Sequence, residues 1–159
     1  MNNIQQISIH LHYRTMHNTV TAALPGIEVM ISVIYAIVSA LLIIYLSFEV
    51  IKTRRRHQIS VGDGDNEELQ TAQGAQSNAI EYLPITLILL FYLEYNGAGS
   101  WIIHLAGMAL ITGRVIHAYG LLNKSMRRRV LGMQITIFVL TGLCLLNLAF
   151  LPLDKLIQF

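Results

Sequence analysis

The chain alternates long apolar runs with short polar breaks, four times over. Val29 to Phe48 is twenty residues without a charge, and a helix needs roughly 20 such residues to cross a bilayer. Trp101 to Leu122 is a second run long enough to cross, interrupted by one charge, Arg114, with Trp101 placed as an interfacial anchor. Val130 to Leu153 is a third, twenty-four uncharged residues long. The remaining run, Tyr82 to Leu93, has no charge and no breaker after Pro84, but its twelve residues are too few to cross as helix. A crossing helix must take its missing turns from the polar stretch before it, drawing Ser77, Asn78 and Glu81 below the headgroups. At about 100° per residue, Gln70, Gly74, Asn78 and Glu81 share one face, and Leu69, Ala72, Ala79 and Leu83 another. Polar groups at that depth are costly and by default face a bundle interior or a site. This polar stripe is the candidate functional face.

The breaks set the topology. Lys52-Thr-Arg-Arg-Arg-His57 follows the first run and leads into the turn formers Gly62, Asp63, Gly64 and Asp65. Asn66 stands as an N-cap for the next helix, with Glu67 and Glu68 in its first turn. The break from Glu94 to Ser100 is glycine-rich and has no Lys or Arg, whereas the next contains Lys124 and Arg127 to Arg129. The predicted spans are about 29–51, 68–94, 101–122 and 130–152, joined by short loops into one all-α, up-down four-helix membrane domain, 29–153. A polar extension, 1–28, precedes it and a tail, 154–159, follows. The positive-inside rule puts the loops 52–66 and 123–129 in the cytoplasm and both termini outside. Met30 opens the first apolar run, so residues 1–29 are read as a possible upstream mis-start.

Composition agrees with a membrane domain: 54% of residues are hydrophobic and 13% charged, about half the roughly 25% usual in soluble proteins. A net charge of +2 with no basic–aromatic motif argues against a nucleic-acid partner. The single cysteine, Cys144, lies in an apolar run and reads as a core or lipid-facing residue. His10, His12 and His17 are unaccompanied by carboxylate or cysteine, a weak signal for a metal, and none is assigned.

Chemistry concentrates in the second and third spans, which hold Asn78, Glu81, Arg114 and His117. Glu81 and Arg114 lie at similar depth, so they are expected to pair, directly or through a ligand. The alternative is a buried pair that only fixes helix register. Pro84 removes a hydrogen bond to Ile80 and is expected to kink its helix. His117 reads either as a ligand contact or as a hydrogen-bonded interior histidine, and Tyr119 as interfacial or packing. Glu94 and His104 fall near the external end, where solvation is easy.

Asn78-Ala-Ile-Glu81-Tyr82-Leu-Pro84, followed in the third span by Gly113-Arg114-Val-Ile-His117, resembles the MAPEG superfamily, the membrane-associated proteins of eicosanoid and glutathione metabolism. The resemblance covers roughly residues 30–153, and the GDGDNEELQ lead-in is similar to the bacterial branch. It implies a homotrimer with glutathione, as co-substrate, bound between subunits at the cytoplasmic end. The residue types suit that ligand: arginines for its carboxylates, Glu81 for its ammonium, Asn78 and Gln76 for its peptide groups, and Tyr82, Arg114 and His117 as further contacts. By the family's layout an arginine just before the fourth span stabilises the thiolate, here Arg128, with Arg127 and Arg129 as neighbours. The implied activity is a membrane-bound transferase or peroxidase acting on a lipophilic electrophile in a bacterial inner membrane. One departure matters: the family's usual arginine four residues before the asparagine is Gly74 here. Losing such a charged partner costs about 2–5 kcal/mol unless Arg54, Arg55 or Arg56 reaches in. Enzyme status therefore stays open, and the alternative is a non-catalytic lipid- or partner-binding protein of the same fold.

Overall fold

The computed structural model describes residues 30–151, and all four elements in that range are helices: α1 (Ile31–His57), α2 (Glu67–Tyr95), α3 (Ser100–Leu122) and α4 (Met126–Ala149). The three histidines of the N-terminal extension, the question of its start and the C-terminal tail lie outside the described residues. Three of the helices, α1, α3 and α4, are long and apolar enough to cross a membrane by themselves. α2 is not, because its first half is polar, as the sequence pattern requires. It nevertheless runs the full length of the bundle: Lys124 pairs with Glu67 at 3.0 Å at one end, and Glu94 meets the start of α1 at the other. Its 29 residues span about 44 Å at 1.5 Å per residue.

α2 and α3 form the centre. Each packs against both outer helices, while α1 and α4 do not touch. The core is apolar and completely covered, with Leu83, Leu90, Ile103, Leu110 and Leu143 at most 1% exposed. Lipid offers the same apolar surroundings, so helix association here depends on close packing rather than on escape from water. The α3–α4 pair makes the closest approach, through Gly120 and Gly132. A Cβ at Gly120 would collide with the backbone nitrogen of Arg129, and one at Gly132 with that of His117. Only glycine lets these backbones meet, and that contact brings the start of α4 against the end of α3.

Helix ends explain the connections. Asn66 caps α2 as expected, its Oδ1 accepting from the Leu69 amide at 2.9 Å. Two basic runs expected in loops are helical instead. Arg54 to His57 form the last turn of α1, where cations favour the negative end of the helix dipole, and Gln58 ends it in the left-handed conformation. Arg127 to Arg129 fall in the first turn of α4, where the same dipole opposes them. Local helix electrostatics does not account for that second cluster. Pro84 sits inside α2, which remains one continuous helix from Glu67 to Tyr95.

Glu94 is more than a solvated surface group. Its two carboxylate oxygens accept the Ile31 and Ser32 amides at 2.6 and 2.9 Å, satisfying donors that the first turn of α1 leaves open. Beside it, the Tyr35 hydroxyl meets His104 Nδ1 at 2.9 Å. Together they fasten α1 to α2 and α3 at the outer end.

Candidate functional site

At the inner end the bundle is not closed. A groove of about 310 Å³ opens between α2, α3 and α4, lined by Gly74 and Asn78 of α2, His117 and Leu121 of α3, and Arg129, Val130, Met133, Gln134 and Ile137 of α4. A smaller cavity of about 200 Å³ continues toward the helix ends past Glu67, Thr71 and Lys124, sharing Leu121 and Arg129 with the groove. The inner cavity is walled by charged and hydroxyl side chains. The groove beyond it runs along apolar α4 residues, of which Val130 and Ile137 are nearly half exposed on the lipid side. The site thus has a polar end and an apolar, exposed side.

Behind the groove lies Arg114, 0% exposed. Its Nη2 donates to Asn78 Oδ1 at 2.6 Å, and its Cζ stands 5.6 Å from the centre of the Tyr82 ring. Nε and Nη1 have no partner among the described residues. Leaving a buried cationic donor unsatisfied is among the more costly arrangements a protein interior contains. The bond to Asn78 has a chemical consequence. Arginine only donates, so the Asn78 amide must turn its oxygen inward, which leaves its NH₂ group available on the groove side.

His117 is oriented by the same logic. Its Nδ1 lies 2.9 Å from the backbone carbonyl of Arg129. A carbonyl only accepts, so Nδ1 carries the hydrogen, and in the neutral ring Nε2 keeps its lone pair. Nε2 has no partner among the described residues and is not among the sealed-off polar atoms. The groove therefore presents an amide donor, an imidazole lone pair and a guanidinium, from three helices.

The other expected site residues fall elsewhere. Glu81 makes no direct ion pair with Arg114: among the described residues the ion pairs are Lys52–Glu49, Arg56–Glu68, His57–Glu68 and Lys124–Glu67. Three residues beyond Asn78, Glu81 is turned about 60° out of the groove and is exposed on the outer face of α2. Gln76 points to α1, donating to Ser47 Oγ at 2.8 Å. Tyr82 backs the buried guanidinium. Arg128 stacks on Tyr119, 4.9 Å from its ring centre, and Arg129 alone of the three arginines lines the groove. Nor do the arginines of α1 reach in: Arg54 donates to the Gly62 carbonyl and Arg56 binds Glu68, and none of the three borders the groove. Gly74 faces open space, with nothing within 4 Å of a Cβ built there. The α4 wall, Met133, Gln134 and Ile137, went unread in the sequence because its spacing is that of any lipid-facing helix. Gln134, one of two amides in that apolar run, is the one signal there.

The sequence model of the MAPEG family matches residues 32–149. The chain is also 40% identical over 123 residues to the Inner membrane protein YecN of Escherichia coli strain K12, an alignment covering 77% of this chain and 94% of that protein. The protein of the same name in Escherichia coli O6:H1 matches to the same extent.

Proposed function

Starting from the fact that the chain belongs to the MAPEG family, we propose that it is an inner-membrane protein that binds glutathione or a related thiol in the groove. There it would pass the thiol to a lipophilic electrophile arriving from the bilayer. The observation that carries this reading is the amphipathic site itself: a polar cavity leading from the aqueous end into a groove with a guanidinium, an amide and an imidazole on one side and apolar, lipid-exposed α4 residues on the other. A tripeptide thiol is polar and enters from water, whereas its reaction partner dissolves in lipid. A site with one wall of each kind suits both.

In this reading Arg129 takes the role that the family's layout suggested for Arg128, because it is the arginine bordering both cavities. Its charge favours the thiolate over the thiol. The thiolate pair then forms a carbon–sulfur bond, and the electron pair displaced at the electrophile leaves with the departing group or settles on a conjugated acceptor. Peroxide reduction at the same site consumes two thiols and yields an alcohol, water and a disulfide. Asn78 holds a ligand carbonyl or carboxylate through its free NH₂ group, and Arg114 keeps that amide turned. Assembly as a homotrimer is part of the proposal: it brings a neighbouring subunit over Glu81, which otherwise faces lipid as a bare carboxylate.

Titration calorimetry on the detergent-solubilised protein tests the reading. Wild type is expected to bind glutathione, and Asn78→Leu to bind it about tenfold less tightly, the loss of one charge-assisted hydrogen bond. A folded wild type that takes up a fatty-acyl probe but no glutathione would move the assignment to non-catalytic lipid binding. Gly74 favours that second reading, since the open space at its Cα leaves one fewer cation for a glutathione carboxylate.

A further inference from the structure

An arginine beside a thiol stabilises the thiolate but does not say where the proton goes. We propose that His117 is the general base of the site, its Nε2 accepting the proton of a thiol bound in the groove. The assignment rests on the thiol-binding reading above and adds to it the acceptor that reading lacks.

Three features of the geometry carry it. His117 borders the groove although only 4% of its surface is exposed, so what exposure it has is toward the site. Its Nδ1–H is committed to the Arg129 carbonyl at 2.9 Å, which selects the tautomer with a lone pair on Nε2. The residue whose carbonyl orients the ring is also the residue whose guanidinium enters the groove, so base and thiolate partner are held by one contact. The charged groups around the ring are Arg129 from α4 and Arg114 one turn away on α3. The α2 wall contributes Gly74 and Asn78, both uncharged, and α1 contributes nothing to the groove.

The step balances without any further reagent. The S–H bond breaks, its electron pair stays on sulfur, and the proton moves to Nε2 to give an imidazolium that still donates from Nδ1 to the Arg129 carbonyl. Sulfur then forms the bond to the electrophilic carbon, and the displaced pair leaves with its group. The imidazolium returns its proton to that group or to water.

His117→Asn separates this role from a structural one, because the asparagine NH₂ can stand where Nδ1–H stands and keep the tie to Arg129 while removing Nε2. With purified full-length protein, glutathione and a chromogenic aryl halide, H117N is expected to bind glutathione within about threefold of wild type. Its turnover is expected to fall about 10²-fold or more, with the acid limb of the kcat/KM profile lost. An unchanged rate and profile overturns the assignment and leaves His117 as a helix tie. A second measurement needs no variant. Calorimetry of wild type in two buffers of different ionisation enthalpy counts the protons released as the thiolate absorbance of bound glutathione appears. A proton kept on His117 gives release near zero, whereas release of roughly one proton per thiolate overturns the proposal. Wild type that binds no glutathione at all removes the reading beneath it, and this assignment with it.

Discussion

The two ends of this bundle treat polar groups in opposite ways. At the outer end Glu94 divides its carboxylate between two backbone amides of α1, and Tyr35 and His104 satisfy each other. Among the described residues the orphan there is a neutral hydroxyl, that of Ser32. At the inner end a fully buried guanidinium keeps two donors unpartnered, an imidazole keeps a free lone pair, and a groove stands open beside them. Both ends place charge near helix termini, but among the described residues only the outer end leaves no buried charged group without a partner. A satisfied network fastens helices; an unsatisfied one is retained at a cost in stability, and a site is the usual reason.

That contrast can be broken in order of effect. The largest change is expected at Gly132→Ala, whose Cβ would meet the His117 backbone rather than a side chain that can swing away. About 3 kcal/mol or more of destabilisation should follow, read as a lowered midpoint of thermal unfolding in detergent, together with loss of the groove's ligand. Arg114→Met should act in the other direction. Replacing a poorly partnered buried charge by an apolar side chain of similar length stabilises by roughly 1–4 kcal/mol, while glutathione affinity falls more than tenfold. If stability drops instead, Arg114 is structural and the contrast between the ends fails.

Glu94→Gln, at the satisfied end, should destabilise by about 1 kcal/mol through the weakened cap and helix-dipole interaction of α1, leaving ligand affinity unchanged. Gly74→Ala is expected to stabilise by roughly 0.5–1 kcal/mol, because the site is open and alanine restricts the unfolded chain. The smallest effect concerns Glu68, in the exposed first turn of α2 outside the bilayer. The hydrogen bond from His57, helped by the charge of Arg56, holds its carboxyl below its ordinary value near 4.5. A lowered folded-state pKa means that the contribution is complete above the unfolded value and fades as pH falls through the folded one. Amide protection in the 58–66 loop, measured relative to the intrinsic exchange rate at each pH, should therefore fall as the solution is acidified through the carboxylate range in wild type, and Glu68→Gln should remove that dependence.

What the sequence by itself determined was the membrane class, the four helices and the ends of the middle two, whereas the basic runs that close α1 and open α4 were expected in loops. Apolar run lengths and caps are local properties, so α2 begins after Asn66 and ends at Tyr95, within a residue of the expected 68–94. The polar stripe of α2 was legible too, because a charge or amide at bilayer depth is conspicuous whatever surrounds it. Tertiary structure decided which members of that stripe meet. Asn78 and Glu81 differ by about 60° of rotation, enough for one to enter the groove and the other to face outward. In a run of three arginines each neighbour is turned about 100°, so spacing has no means of separating Arg128, which stacks on Tyr119, from Arg129, which borders the groove. The wall from α4 and the orientation of His117 arise from the glycine contact between α3 and α4. That contact depends on backbone approach between two helices and leaves no trace in the periodicity of either one.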